Sequence, residues 1–197
     1  MKQVLLNPFE KISETRLFIF GIIATLLGSY LGYLFNGRYD GVIDLHFIDS
    51  VSLPQPFIDN LINIASLFLL LFLAGKFINK KTRIIDILNP ILIARIPFYF
   101  LTFSNFRNYI SDISKSLLAM VDLKNKTTNL NLETSHILFL GFFTIVTIAF
   151  LVWFVILLYN GFKVATNCKT VPHKVYFGLS ILAAEIVSGI AISLLNY

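Results

Sequence analysis

Twenty-three consecutive residues, Ile137 to Tyr159, carry no charge. The hydrocarbon core of a bilayer is about 30 Å thick, and a helix needs roughly 20 mostly apolar residues to cross it. A run of this length is read as a membrane span, and it fixes the solvent of the fold before any other residue is considered. Four further runs follow the same rule. Leu17 to Phe35 supplies 19 uncharged residues, closed by Asn36-Gly37-Arg38. It is long for the apolar segment of a secretory signal and lacks an A-x-A-like cleavage site, so it reads as a retained first span. Leu61 to Phe77 ends at Lys76, which can snorkel to the interface. Ile84 to Thr102 is interrupted by Pro90, Arg95 and Pro97, and Val175 to Leu195 carries Glu185 at its midpoint.

Composition agrees with this reading. The 197 residues are 56% hydrophobic and 14% charged, against about 25% charged in an average soluble domain. The expectation is an all-α polytopic membrane protein: one membrane domain over 1–197, with five helices at about 17–35, 61–77, 84–102, 137–159 and 175–195. Polar external loops are expected after spans 1 and 3.

Orientation follows from Lys and Arg in alternate segments. Lys2, Lys11 and Arg16 precede the first span; Lys76, Lys80, Lys81 and Arg83 follow the second; Lys163, Lys169 and Lys174 follow the fourth. The other side holds Arg38, Arg107, Lys115, Lys124 and Lys126. Ten cations face five, so the N-terminus is expected in the cytoplasm and the C-terminus outside. The net charge of +5 then reflects loop bias rather than nucleic-acid binding.

Gly21, Thr25, Gly28 and Gly32 fall on one face of the first span. Gly28 and Gly32 form a G-x-x-x-G step that lets another backbone approach closely. Internal packing within the bundle is the favoured reading, homodimerisation the other.

Chemistry-bearing motifs are sparse. The first external loop alternates Ile43, Leu45 and Phe47 with Asp44 and His46, the period of a half-buried strand. A helical reading stays open, because Asp40 and Asp44 are four apart. Asp44, His46 and Asp49 are the one cluster resembling metal ligands, but no ligand spacing is present. The loop is therefore read as an amphipathic segment facing solvent or headgroups, with no metal and no cofactor. Pro54-Gln55-Pro56 reads as a turn into the second span. No H-E-x-x-H, G-x-S-x-G, P-loop or G-x-G-x-x-G motif occurs. Cys168, the single cysteine, excludes an internal disulfide and reads as an inert or lipidated loop residue. No catalytic residue is assigned.

Arg95 is the sharpest anomaly. It lies 11 residues past Ile84, and Glu185 lies 10 past Val175. At about 1.5 Å per residue, each charge sits about 15 Å deep, near the bilayer midplane. An unpaired charge there costs about 3 kcal/mol or more. Asp86 would be shallower by about 13 Å on a continuous helix, so the expected partner is Glu185, in an ion pair joining spans three and five. Such a pair either fixes helix register or lines a polar path for transport, with Thr144 and Thr147 the nearest additional polar groups.

"WFVILLYNGFKVATN", Trp153 to Asn167, resembles the corresponding segment of bacterial members of the Yip family of multi-pass proteins. "ARIP", Ala94 to Pro97, is similar to that family's third span, and "LLNPFEKI" to its N-terminal lead-in. The resemblance implies five helices, a cytoplasmic N-terminus and no catalytic residues. Tyr159, Asn160, Gly161 and Lys163 are candidate partner or lipid contacts: Gly161 permits a helix end or a close backbone approach, Tyr159 can anchor at the interface, and Lys163 can meet anionic headgroups. The expected function is a non-enzymatic scaffold, organiser or adaptor in a bacterial inner membrane. Its partners would be the lipid bilayer and other membrane proteins or a homo-oligomer. The alternative is a small transporter or permease subunit using Arg95 and Glu185.

Overall fold

A computed structural model describes residues 5–119, 121–122, 127–128 and 133–195. Lys2, Lys124 and Lys126, used above for orientation, lie outside them. Five helical segments are long and apolar enough to cross a membrane. The chain is thus an all-α, five-span bundle with almost no sheet.

A lead-in with a short 3-10 turn, Pro8–Glu10, precedes α1, Glu14–Leu34. Asn36 then adopts a left-handed conformation (φ 54°), which asparagine tolerates better than most residues. The chain turns back as a small hairpin, β1 Gly37–Arg38 paired antiparallel with β2 His46–Phe47. The strand reading of the loop therefore holds at His46–Phe47. The turn between the strands is not a solvated loop, since Tyr39, Gly41 and Val42 are buried.

Helix α2 runs Pro54–Ile78. It begins seven residues before the expected boundary, because Pro54 and Pro56 do not end in a turn. Proline suits the first helical positions, where no amide donor is needed. This places Asp59, Asn60 and Asn63 inside the helix, and all three are buried.

The third crossing is composite. Helix α3, Ile84–Ala94, gives way at Arg95 to α4, Ile96–Leu101. The step is a tightening rather than a gap: Arg95 N–H donates to the Ile91 carbonyl at 3.3 Å, while Phe98 N–H donates to Arg95 O at 3.0 Å. Pro97 cannot donate, so the ladder slips there. A 3-10 stretch, Thr102–Asn108, kinked by non-helical backbone at Asn105, Phe106 and Arg107, and α5 (Tyr109–Ala119) continue the chain, and Val121–Asp122 pairs with Thr127–Thr128. Helix α3 is the centre of the bundle, packed by α1, α2 and α6.

Helix α6 spans Thr134–Thr166, 33 residues, or about 50 Å on the helix rise. Asn160-Gly161 does not end it. Asn167 does, in the left-handed conformation at φ 55°, a usual way to close a helix. Helix α7, Val171–Ser193, lies mainly along α2.

The small residues of α1 face the rest of the chain. A Cβ on Gly21 would lie 2.6 Å from Leu92 Cβ, and one on Gly32 would lie 2.9 Å from Pro56. One on Gly28 would enter the Tyr99 ring. Each is a place where α1 meets another element at near-contact distance.

Candidate functional site: a polar knot under the hairpin loop

Arg95 is fully buried, and its partners come from two other elements. Nε and Nη2 both donate to Asn60 Oδ1, at 3.2 and 2.7 Å, and Nη1 donates to the Val42 carbonyl at 3.1 Å. The guanidinium carbon lies 5.8 Å from the centroid of the Tyr39 ring, a cation–π distance. The cation is thus held by an amide oxygen, a backbone carbonyl and an aromatic face. It stands at the junction of α3 and α4, where the helical ladder tightens.

Glu185 is not its direct partner, so the expected ion pair joining spans three and five does not form. Glu185 Oε2 accepts the Ile43 N–H at 2.8 Å. The Val42 carbonyl and the Ile43 N–H belong to one peptide unit. That single peptide stands between the two charges, its oxygen toward Arg95 and its hydrogen toward Glu185. The arrangement has a physical reason. The turn of the hairpin fills the space between α3 and α7, and Gly41 lets the carboxylate come close, because a Cβ there would overlap it. The peptide dipole is aligned with the field of both charges, which favours this insertion.

Around this relay the polar groups are chained. Asn60 Nδ2 donates to Ser29 Oγ (2.9 Å), and Ser29 Oγ donates to the Thr25 carbonyl (2.9 Å). Tyr99 OH donates to Thr25 Oγ1 at 3.3 Å. Tyr39 OH donates to the Gly28 carbonyl at 2.8 Å, and the Tyr39 carbonyl accepts Asn63 Nδ2 at 2.6 Å. Burial, with Tyr99 close by, pushes the Tyr39 phenol well above the ordinary tyrosine range, so it remains a neutral donor. Asn63 Oδ1 is buried with no hydrogen-bond partner among the described residues.

A second buried pair sits beside the first. Arg38 Nε and Nη2 donate to the two oxygens of Asp59, at 2.6 and 3.0 Å. This is the bidentate geometry in which an Arg–carboxylate pair is strongest. Asp40 Oδ2 lies 3.0 Å from His46 Nδ1, and Asp40 Oδ1 lies 3.5 Å from Arg38. Thus β1, the hairpin turn and the head of α2 are fastened to one another and to the α3–α4 break.

Asp44, His46 and Asp49 do not converge. His46 is turned to Asp40, Asp49 pairs with Lys115 at 2.7 Å, and Asp44 is exposed. Among the described residues no group of three or more His, Cys, Asp or Glu converges.

At the opposite end of the bundle, Gly161 serves the close approach, since a Cβ there would overlap the Pro90 ring. Asn160 Nδ2 donates to the Leu6 carbonyl at 2.7 Å, and Trp153 Nε1 to the Leu5 carbonyl at 3.0 Å. Tyr159 packs edge-on against Phe177, 5.4 Å between centroids, while Lys163 is exposed. Cys168 is buried. Of the two readings of Cys168, inert or lipidated, burial favours the inert one, because a covered thiol is poorly placed to meet an acyl donor. Arg83 pairs with Asp86 and Glu14, and these carboxylates hold its guanidinium protonated well above the usual range.

Sequence reasoning misses Tyr39, Asp59, Asn60 and Asn63 as site residues. The signal was present: Asp59, Asn60 and Asn63 fall on one side of a helix at its head. A second span begun at Leu61 leaves these residues outside the helix, which in fact begins at Pro54. Comparisons with protein families, curated proteins and solved structures yield no match.

Proposed function

We propose that the chain is a non-enzymatic integral membrane scaffold or adaptor of the Yip type. It would act in a bacterial inner membrane with its N-terminus cytoplasmic and its C-terminus outside. One observation carries this reading: Arg95, the cation deepest in the spans, is enclosed and hydrogen-bonded by Asn60 and the Val42 carbonyl. A transported solute would have to displace these bonds to reach it. The geometry favours a role in fastening the external loop, which leaves helix surfaces as the means of action. On the outward half of α6, nothing lies within 4 Å of a Cβ placed on Gly141, so another membrane protein or a second copy can approach its backbone. At the other end, Lys163 is the exposed member of the Tyr159–Lys163 segment and the one free to meet a partner.

The deciding experiment pairs capture with flux. The tagged full chain, drawn from native membranes in mild detergent, should bring down a defined membrane partner, and Gly141→Leu should release it without lowering the melting temperature. If reconstituted vesicles instead show solute flux that a folded Arg95→Met variant abolishes, the scaffold reading fails.

A further inference from the structure

The lead-in, α1, the α3–α4 junction and α6 enclose an apolar groove of about 470 Å³. That volume lies in the range of about 300–1,000 Å³ typical of small-molecule sites. Its wall is made by Leu17, Phe20, Ile93, Phe100, Trp153 and Leu157, with one charged residue, Arg16.

Its axis follows the bundle. Helices α1 and α3 begin at the same end, where Arg83 pairs with Glu14 and Asn89 Nδ2 donates to the Glu14 carbonyl. Arg16 stands in the first turn of α1. Phe100 lies 11 residues beyond Asn89, the residue that meets the head of α1, about 17 Å further along on the helix rise. The groove therefore runs from the interface into the hydrocarbon core, with its cation at the mouth. Arg16 is exposed, and among the described residues it forms no ion pair. The lead-in that forms one wall is held in place by the Trp153 and Asn160 side chains.

We infer that this groove is a binding site for an anionic glycerophospholipid, with one acyl chain along the apolar wall and the phosphate on Arg16. The chemistry selects the occupant. A long apolar slot at membrane depth matches an acyl chain, and an unpaired guanidinium at its interfacial end matches a phosphate. A peptide fits poorly, because the wall offers its backbone groups almost nothing to bond inside the membrane. This inference does not depend on the scaffold reading, since a lipid site of this kind suits any function.

Trp153 is the only tryptophan in the chain, and it lines the groove, so its fluorescence reports the occupant. The full chain is reconstituted in phosphatidylcholine vesicles containing phosphatidylglycerol brominated on its acyl chains. A parallel sample carries brominated phosphatidylcholine at equal mole fraction. One basic contact at an anionic surface corresponds to about a fivefold enrichment, so the brominated phosphatidylglycerol should quench Trp153 at about a fivefold lower mole fraction. Arg16→Gln should remove that difference, Arg16→Lys should keep most of it, and Lys174→Gln, distant from the groove, should leave it unchanged. Leu157→Phe, which fills the slot while leaving the cation, should weaken quenching by the anionic lipid several-fold. It keeps the test decisive if Arg16→Gln fails to fold. Equal quenching by the two lipids, meaning ordinary annular contact only, overturns the inference. So does a preference that survives in folded Arg16→Gln, or one indifferent to Leu157→Phe.

Discussion

Exchanging the two intramembrane charges separates a direct ion pair from a peptide-bridged one. In a contact pair, Arg95→Glu combined with Glu185→Arg reverses both partners and keeps the attraction. Here the Val42–Ile43 peptide lies between them, with its carbonyl accepting from Arg95 at 3.1 Å and its N–H donating to Glu185 at 2.8 Å. After the exchange a carboxylate would face a carbonyl oxygen, and a guanidinium would face an N–H donor. Both contacts become repulsive, and the peptide cannot flip freely because Tyr39 and Val42 are buried on either side of Gly41. Each charge-assisted hydrogen bond contributes about 1.5–3 kcal/mol, so losing these two should cost about 3–6 kcal/mol, and the Arg95 bonds to Asn60 Oδ1 are lost besides. The loss should be close to the sum of the single changes rather than smaller. The assay is unfolding free energy in bilayer discs, with accumulation in membranes as a parallel readout. Glu185→Gln supplies the control, since its amide oxygen still accepts from Ile43 and the loss should stay near about 1 kcal/mol. If the double exchange lies within about 0.5 kcal/mol of wild type, the bridged geometry is wrong and the charges meet directly.

Other outcomes follow from the same structure. Asn60→Leu removes the oxygen accepting two Arg95 donors and should destabilise by about 3–5 kcal/mol. Adding Arg95→Met should recover much of that loss, because an apolar replacement leaves no buried cation; equilibrium unfolding of the single and double variants checks it. Asp59→Leu strands Arg38 in the same way and should cost a similar amount, again relieved by Arg38→Met. Gly28→Ala and Gly161→Ala overlap a tyrosine and a proline ring and should each cost about 1–3 kcal/mol. Gly178→Ala meets nothing and should be neutral or stabilising by up to about 1 kcal/mol. Thermal unfolding of the three variants side by side decides between these signs.

The five spans are legible because the signal is length without charge, and Ile137–Tyr159 needs no tertiary information to be read. Boundaries are less legible where polar residues enter a helix. Pro54 to Asn60 looks like a turn until the hairpin arrives to satisfy Asp59 and Asn60. Depth alone brought Arg95 and Glu185 to one level, because helix rise is fixed by backbone geometry. It cannot say what lies between two helices at that level. The intervening peptide belongs to a loop whose sequence, Tyr39 to Ile43, has no period that marks it as buried. The partners of Arg95 were hidden for a related reason: an amide and a carbonyl carry no charge to attract attention, yet they satisfy a guanidinium well.

The chain order of the Arg95 contacts bears on how the protein enters its membrane. Val42 and Asn60 both precede Arg95 in sequence. As synthesis proceeds from the N-terminus, the hairpin and the second helix are laid down before the third crossing appears. The cation can therefore move from the insertion machinery onto acceptors already in place, without a lone stay in lipid costing about 3 kcal/mol or more. Glu185 arrives last, to a hairpin already pinned from the other side. Transplanting the third crossing ahead of the second would force Arg95 to wait for its acceptors, so the order of the segments belongs to the assembly as much as their composition does.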